Sequence, residues 1–126
     1  MKTILVIDDD QNFRIIFSEW LEFQGFRPIT ANGGLEGVQL AQSHHPDLIF
    51  CDMNMPVLNG IDVLKQLQND LNTSCIPFFF LTSDTSLQRN FVQQLGAHGI
   101  LLKGAVVDEL KQALNLLQLE EADLKH

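Results

Sequence analysis

Residues 47–56 read Asp47-Leu48-Ile49-Phe50-Cys51-Asp52-Met53-Asn54-Met55-Pro56. Four apolar residues closed by a carboxylate and a proline-bearing turn have the length of a strand buried on both faces. Asp-x-x-x-Pro alone marks only a turn, since Asp and Pro both favour turns for local reasons. Its weight comes from recurrence. Apolar runs suited to buried parallel strands lie near residues 3–8, 27–31, 47–51, 76–81 and 98–102.

Between these runs the spacing turns helical. Phe13, Ile16, Phe17, Trp20 and Leu21 follow the i, i+3, i+4, i+7, i+8 rule, with Gly25 as a stop. Leu35, Val38, Leu40 and Ala41 form a weaker stripe, and Ile61, Leu64 and Leu67 a third. From a cap at Ser83 or Asp84, Leu87, Phe91, Val92 and Leu95 lead to Gly96. Val106, Leu110, Ala113, Leu114 and Leu117 close the series. These β-then-α units give a three-layer α/β domain with helices on both faces of a parallel sheet. The domain is expected over residues 1–119, with 120–126 a C-terminal tail or the start of a linker.

Composition agrees. The 126 residues suit one domain with a real core, and 45% apolar with 19% charged residues suits a globular chain. No apolar run approaches the ~20 residues of a membrane helix. The chain opens directly into Ile4-Leu5-Val6-Ile7 and turns acidic at Asp8, unlike a signal peptide, so a cytoplasmic location is expected. A formal net charge of −8 argues against nucleic-acid binding through the domain's own surface. Cys51 and Cys75 have no metal-ligand spacing and are expected as unpaired core or near-core thiols. His44 and His45 end the second helical segment, where their charge suits the helix dipole. Trp20 and Phe78-Phe79-Phe80 read as packing residues. No Gly-rich phosphate loop with Lys-Ser/Thr is present, so nucleotide hydrolysis is not indicated.

In open parallel sheets, ligands bind beyond the carboxyl ends of the strands. The residues that follow the apolar runs are Asp8, Asp9 and Asp10; Asp52; Thr82, Ser83 and Asp84; and Lys103. Asp10 reads as a helix cap. Carboxylates gathered at one edge repel each other by roughly 3 kcal/mol per pair at ~5 Å and an effective dielectric of ~20. A divalent cation or a lysine offsets that cost. Hard oxygen ligands with room for water suit Mg²⁺, and a carboxylate beside such a cation and an ammonium can attack phosphorus.

In this order and spacing the chain resembles a response-regulator receiver domain over residues 2–118. The resemblance rests on Ile4 to Asp10, on Asp47 to Pro56 with Gly60, on Phe80-Leu81-Thr82-Ser83, on Gly96-Ala97 and on Leu102-Lys103. It implies a flavodoxin-like (βα)5 domain with sheet order 2-1-3-4-5. It implies Asp52 as the phosphoacceptor, with Asp9, Asp52 and the backbone carbonyl of Asn54 on Mg²⁺, and Asp8 acting through water. Thr82 and Lys103 would hold phosphoryl oxygens, joined by the backbone N–H groups of Asn54 and Ser83. The implied donor is a histidine kinase or histidine phosphotransfer protein. The implied output is a downstream protein or output domain that reads a surface within 84–118, with Leu101, Val107 and Leu116 as exposed apolar contacts. That face could also support a homodimer. The family's domains are signalling modules whose only catalysis is self-phosphorylation and self-dephosphorylation. Asn54 and Asp84 resemble the faster members, which implies a phosphoryl lifetime of seconds to minutes.

Two positions depart from the family pattern. Ile100 stands where an aromatic usually couples to the switch residue Thr82, and Gly104 stands where a cis-bonded Pro usually follows the lysine. A cis Lys103–Gly104 bond is expected here, to keep Lys103 aimed into the site, at a cost of ~3 kcal/mol. A phosphorylation-independent interaction module is the competing reading. A flavodoxin-like enzyme is disfavoured, because no cofactor loop is visible.

Overall fold

The computed structural model describes residues 1–84, 89–104, 111 and 115. Its elements are β1 (Thr3–Ile7), α1 (Gln11–Phe23), β2 (Arg27–Ala31), α2 (Gly34–His44), β3 (Leu48–Asp52), α3 (Gly60–Gln68), β4 (Phe78–Thr82), α4 (Arg89–Gln94) and β5 (Gly99–Leu102). All pairings are parallel and the sheet order is β2-β1-β3-β4-β5, as the resemblance implies. The helical stripe from Val106 to Leu117, Leu87, and the candidate contacts Val107 and Leu116 lie outside the described residues.

The apolar runs are continuous because β1, β3 and β4 are buried on both faces. Their side chains alternate between two cores. Leu5, Ile7, Ile49, Cys51, Phe78, Phe80 and Ile100 pack with Val38, Val63, Leu64, Leu67 and Val92 on the α2–α3–α4 side. Ile4, Val6, Leu48, Phe50, Phe79, Leu81 and Leu101 pack with Phe17 and Leu21 on the α1 side. This period of two also decides where the polar residues just past each strand are aimed.

Several expectations change at the level of single side chains. Leu101 is buried at 6% exposure, because its parity turns it into the α1-side core, so it is not an exposed contact. Ile16 is 68% exposed although it lies on the α1 stripe. The core side of α1 is carried by Phe17 and Leu21, and among the described residues Ile16 lines a groove with Phe13, Trp20, Leu81 and Leu102. Leu35, in the first turn of α2, is 59% exposed. Cys51 is buried, whereas Cys75 is exposed in the turn run before β4; both thiols are free. His44 ends α2, and His45 caps it in the left-handed conformation at φ 47°.

Candidate functional site

The ends of β1, β3, β4 and β5 each deliver part of the site. β1 runs into Asp8, which lies one step past Ile7 and is fully buried. Asp10 caps α1 as expected, its side chain accepting from the N–H groups of Asn12 at 3.0 Å and Phe13 at 3.2 Å. β3 ends on Asp52, only 5% exposed. The loop after it is closed by Gly60, whose N–H donates to the Met53 carbonyl at 3.1 Å. A Cβ there would meet the Asp52 carbonyl at 2.5 Å, so glycine lets α3 start directly beneath the loop.

Parity then sorts the side chains. Asp8 continues Ile4 and Val6, Asp52 continues Leu48 and Phe50, and Lys103 continues Leu101, so all three turn to the α1 side. There Lys103 Nζ lies 2.8 Å from Asp8 Oδ2 and 3.2 Å from Asp52 Oδ2. Asp52 Oδ1 accepts from the Asn54 N–H at 3.3 Å. Thr82 continues Phe78 and Phe80 and belongs to the other parity. Its buried Oγ1 accepts from the Asp84 N–H at 3.0 Å. Ser83 and Asn54 are exposed at the rim.

The charges are strained against each other. Burial first, then the neighbouring Asp8 charge, hold the Asp52 carboxyl above the usual carboxylate range; Lys103 and the Asn54 N–H pull in the opposite direction. Burial opposes the Lys103 charge, but Asp8 and then Asp52 outweigh it and raise the lysine above its ordinary value. The Cys51 thiol is pushed up by burial and then by Asp52 and Asp8, so it stays a protonated core group.

Lys103 reaches both carboxylates through a trans bond to Gly104: no cis peptide occurs among the described residues. The expected cis geometry is thus replaced. A non-proline cis bond costs about 3 kcal/mol, and Lys103 meets both carboxylates without it.

Oxygens of Asp8, Asp9 and Asp52 lie within 4.8 Å of one another, and Asp9 is exposed to solvent. Asp8 Oδ2 is buried and meets the Lys103 ammonium at 2.8 Å. A set of three hard carboxylate ligands, one of them facing solvent with room for water, fits a hydrated Mg²⁺. Two neighbours were not singled out from the sequence. Arg14 Nη1 donates to the Asp8 carbonyl at 2.6 Å, and the Phe13 ring centroid lies 5.1 Å from Lys103 Nζ. Phe13 reads as helix packing until β5 is known to end beside the first turn of α1.

Together these features define a class: a flavodoxin-like domain with a lysine-bridged carboxylate pocket beyond the carboxyl ends of β1, β3 and β5. Residues 4–115 match the model of the response regulator receiver domain, and the chain belongs to that family. Receiver domains are signalling modules of two-component systems. PilH of Pseudomonas aeruginosa is 32% identical over 116 residues, covering 91% of this chain and 96% of PilH. The chemotaxis response regulator CheY4 of Vibrio cholerae superposes with a TM-score of 0.83 at 30% identity, covering 93% of this chain and 98% of that one. The receiver domain of sensor histidine kinase PA1611 from Pseudomonas aeruginosa shares the fold at a TM-score of 0.81 and 24% identity, covering 93% of this chain and 94% of its own; a magnesium ion is coordinated in its active-site cleft.

Proposed function

We propose that the chain is the phosphoacceptor receiver of a phosphorelay: Asp52 takes a phosphoryl group from a phosphohistidine in the presence of Mg²⁺, and the phosphorylated domain switches a protein-binding surface. The donor is a histidine kinase or histidine phosphotransfer protein, the reader is a downstream protein or output domain, and the setting is cytoplasmic. The observation that carries the reading is the Lys103 ammonium held between the carboxylates of Asp8 and Asp52.

Transfer breaks the phosphorus–nitrogen bond of the donor as a carboxylate oxygen of Asp52 bonds to phosphorus, and the electron pair leaves with the imidazole. Asp9, Asp52 and the Asn54 carbonyl would hold Mg²⁺, with Asp8 acting through water. When bound, the ion supplies positive charge against the phosphoryl oxygens. Lys103 exchanges its Asp52 contact for a phosphoryl oxygen. Thr82 donates its hydroxyl to another oxygen, and the N–H groups of Asn54 and Ser83 complete the cradle. At most the domain phosphorylates and dephosphorylates itself. With Asn54 and Asp84 at the rim, the acyl phosphate lasts seconds to minutes.

Incubation with acetyl phosphate or phosphoramidate and Mg²⁺, followed by intact mass, tests this. One phosphoryl group should add to wild type, none to Asp52→Asn, and none when the ion is chelated. No addition to wild type would favour a phosphorylation-independent interaction module, a reading that Ile100 and Gly104 alone support.

A further inference from the structure

Two carboxylates fix the Lys103 ammonium on two sides, and the Phe13 ring occupies a third. Nζ stands over that ring at 5.1 Å from its centroid, inside the distance at which a cation is drawn to an aromatic face. The side chain of Lys103 remains 20% exposed. A leucine in place of Phe13 would keep apolar bulk on the third side but remove the face that attracts the ammonium, giving it a wider arc. The Lys103 N–H donates to the Thr82 carbonyl at 2.7 Å, so the backbone is anchored and the ring acts on the course of the side chain beyond it.

Phe13 is itself held from both ends. Its N–H is pinned by the Asp10 carboxylate at 3.2 Å. Its ring lies 5.4 Å from that of Phe17, which in turn meets the fully buried Phe50 edge-on at 5.2 Å. The helix cap and an aromatic ladder into β3 thus fix the ring that faces the lysine.

We infer that Phe13 is a positioning residue for Lys103, its ring face setting where the ammonium sits between Asp8 and Asp52. Aliphatic packing would serve α1 equally well; only an aromatic face attracts the charge. The kinetic consequence rests on the phosphoacceptor reading above. The positional claim does not.

The test uses wild type, Phe13→Leu and Phe13→Tyr, the tyrosine keeping the ring and the leucine keeping the apolar bulk. In the Mg²⁺-free proteins, NMR of the Lys103 ε-methylene protons should show an upfield ring-current displacement in wild type and Phe13→Tyr that disappears in Phe13→Leu. In acetyl phosphate and Mg²⁺, Phe13→Leu should gain phosphate more slowly by roughly threefold to tenfold, the range a partly desolvated cation–π contact spans. Phe13→Tyr should match wild type. Undisplaced Lys103 protons in wild type would overturn the inference, whether or not any variant folds. So would an uptake rate in Phe13→Leu equal to wild type, or a Phe13→Tyr as slow as Phe13→Leu. If wild type takes up no phosphate at all, the phosphoacceptor reading fails, and the proton shifts still decide the placement of the ring.

Discussion

At the carboxyl edge of the sheet, the two faces are built from different materials. On the α1 side, Asp8, Asp52 and Lys103 converge within 3.2 Å contacts, with Phe13 behind the ammonium. On the α4 side, Thr82 and Ile100 share a face with Phe80 and Val92, and the Thr82 hydroxyl accepts from the Asp84 N–H in the next turn of its own loop. The first face holds opposed charges that a phosphoryl group would rearrange. The second is an ordinary aliphatic core, where Ile100 fills space with no polar atom to exchange. The two faces therefore offer different handles: electrostatics across three strand ends on one, and on the other the packing under α4 beside the Thr82 hydroxyl.

Removing the lysine probes the first face most severely. Lys103→Met leaves two buried carboxylates without their counter-charge, so stability in Mg²⁺-free buffer should fall by about 3 kcal/mol, as when a buried pair is broken on one side. Urea unfolding with and without saturating Mg²⁺ measures it, and the loss should shrink when the ion is present. Equal loss in both conditions would break the electrostatic half of the comparison.

At Ile100 the second face should answer to volume. Ile100→Ala opens a cavity beneath α4 and should cost about 2–4 kcal/mol, while leaving the rate of phosphoryl uptake from acetyl phosphate unchanged. A slower uptake at full occupancy of the folded state would join the two faces that the geometry separates.

The smallest effect concerns pH. The folded protein binds a proton at Asp52 more tightly than the unfolded chain, because burial and then Asp8 raise that carboxyl. Its contribution to stability is therefore present at low pH and is lost as pH rises from the ordinary carboxylate range through the raised folded value. Asp52→Asn escapes this loss. In Mg²⁺-free buffer the variant should melt a few degrees above wild type at neutral pH, with the gap closing as pH falls below that window. A variant less stable than wild type at neutral pH would mean that the Lys103 contact outweighs burial.

The apolar runs placed the strands within about two residues and the sheet order followed from the family resemblance, because strands buried on both faces leave an unmistakable run and right-handed crossovers prune the rest. The site was legible for the same reason: Asp8, Asp52, Thr82 and Lys103 each stand directly after such a run. What stayed hidden depended on angles rather than order. The exposure of Ile16 depends on how α1 rolls on the sheet, and the burial of Leu101 on the pleat of β5. The trans Lys103–Gly104 bond follows from the absence of a proline after the lysine, since a non-proline cis bond costs about 3 kcal/mol. The Phe13–Lys103 contact joins positions ninety residues apart and has no local signature in either.

The central claim is that Asp52 itself carries the phosphoryl group. Reduction of the acetyl-phosphate-treated protein with borohydride converts an aspartyl phosphate to homoserine, which peptide sequencing by tandem mass spectrometry places on the chain. Homoserine is expected at position 52 alone, formed only when Mg²⁺ was present; modification at Asp8 or Asp9, or none at all, would contradict Asp52 as the phosphoacceptor.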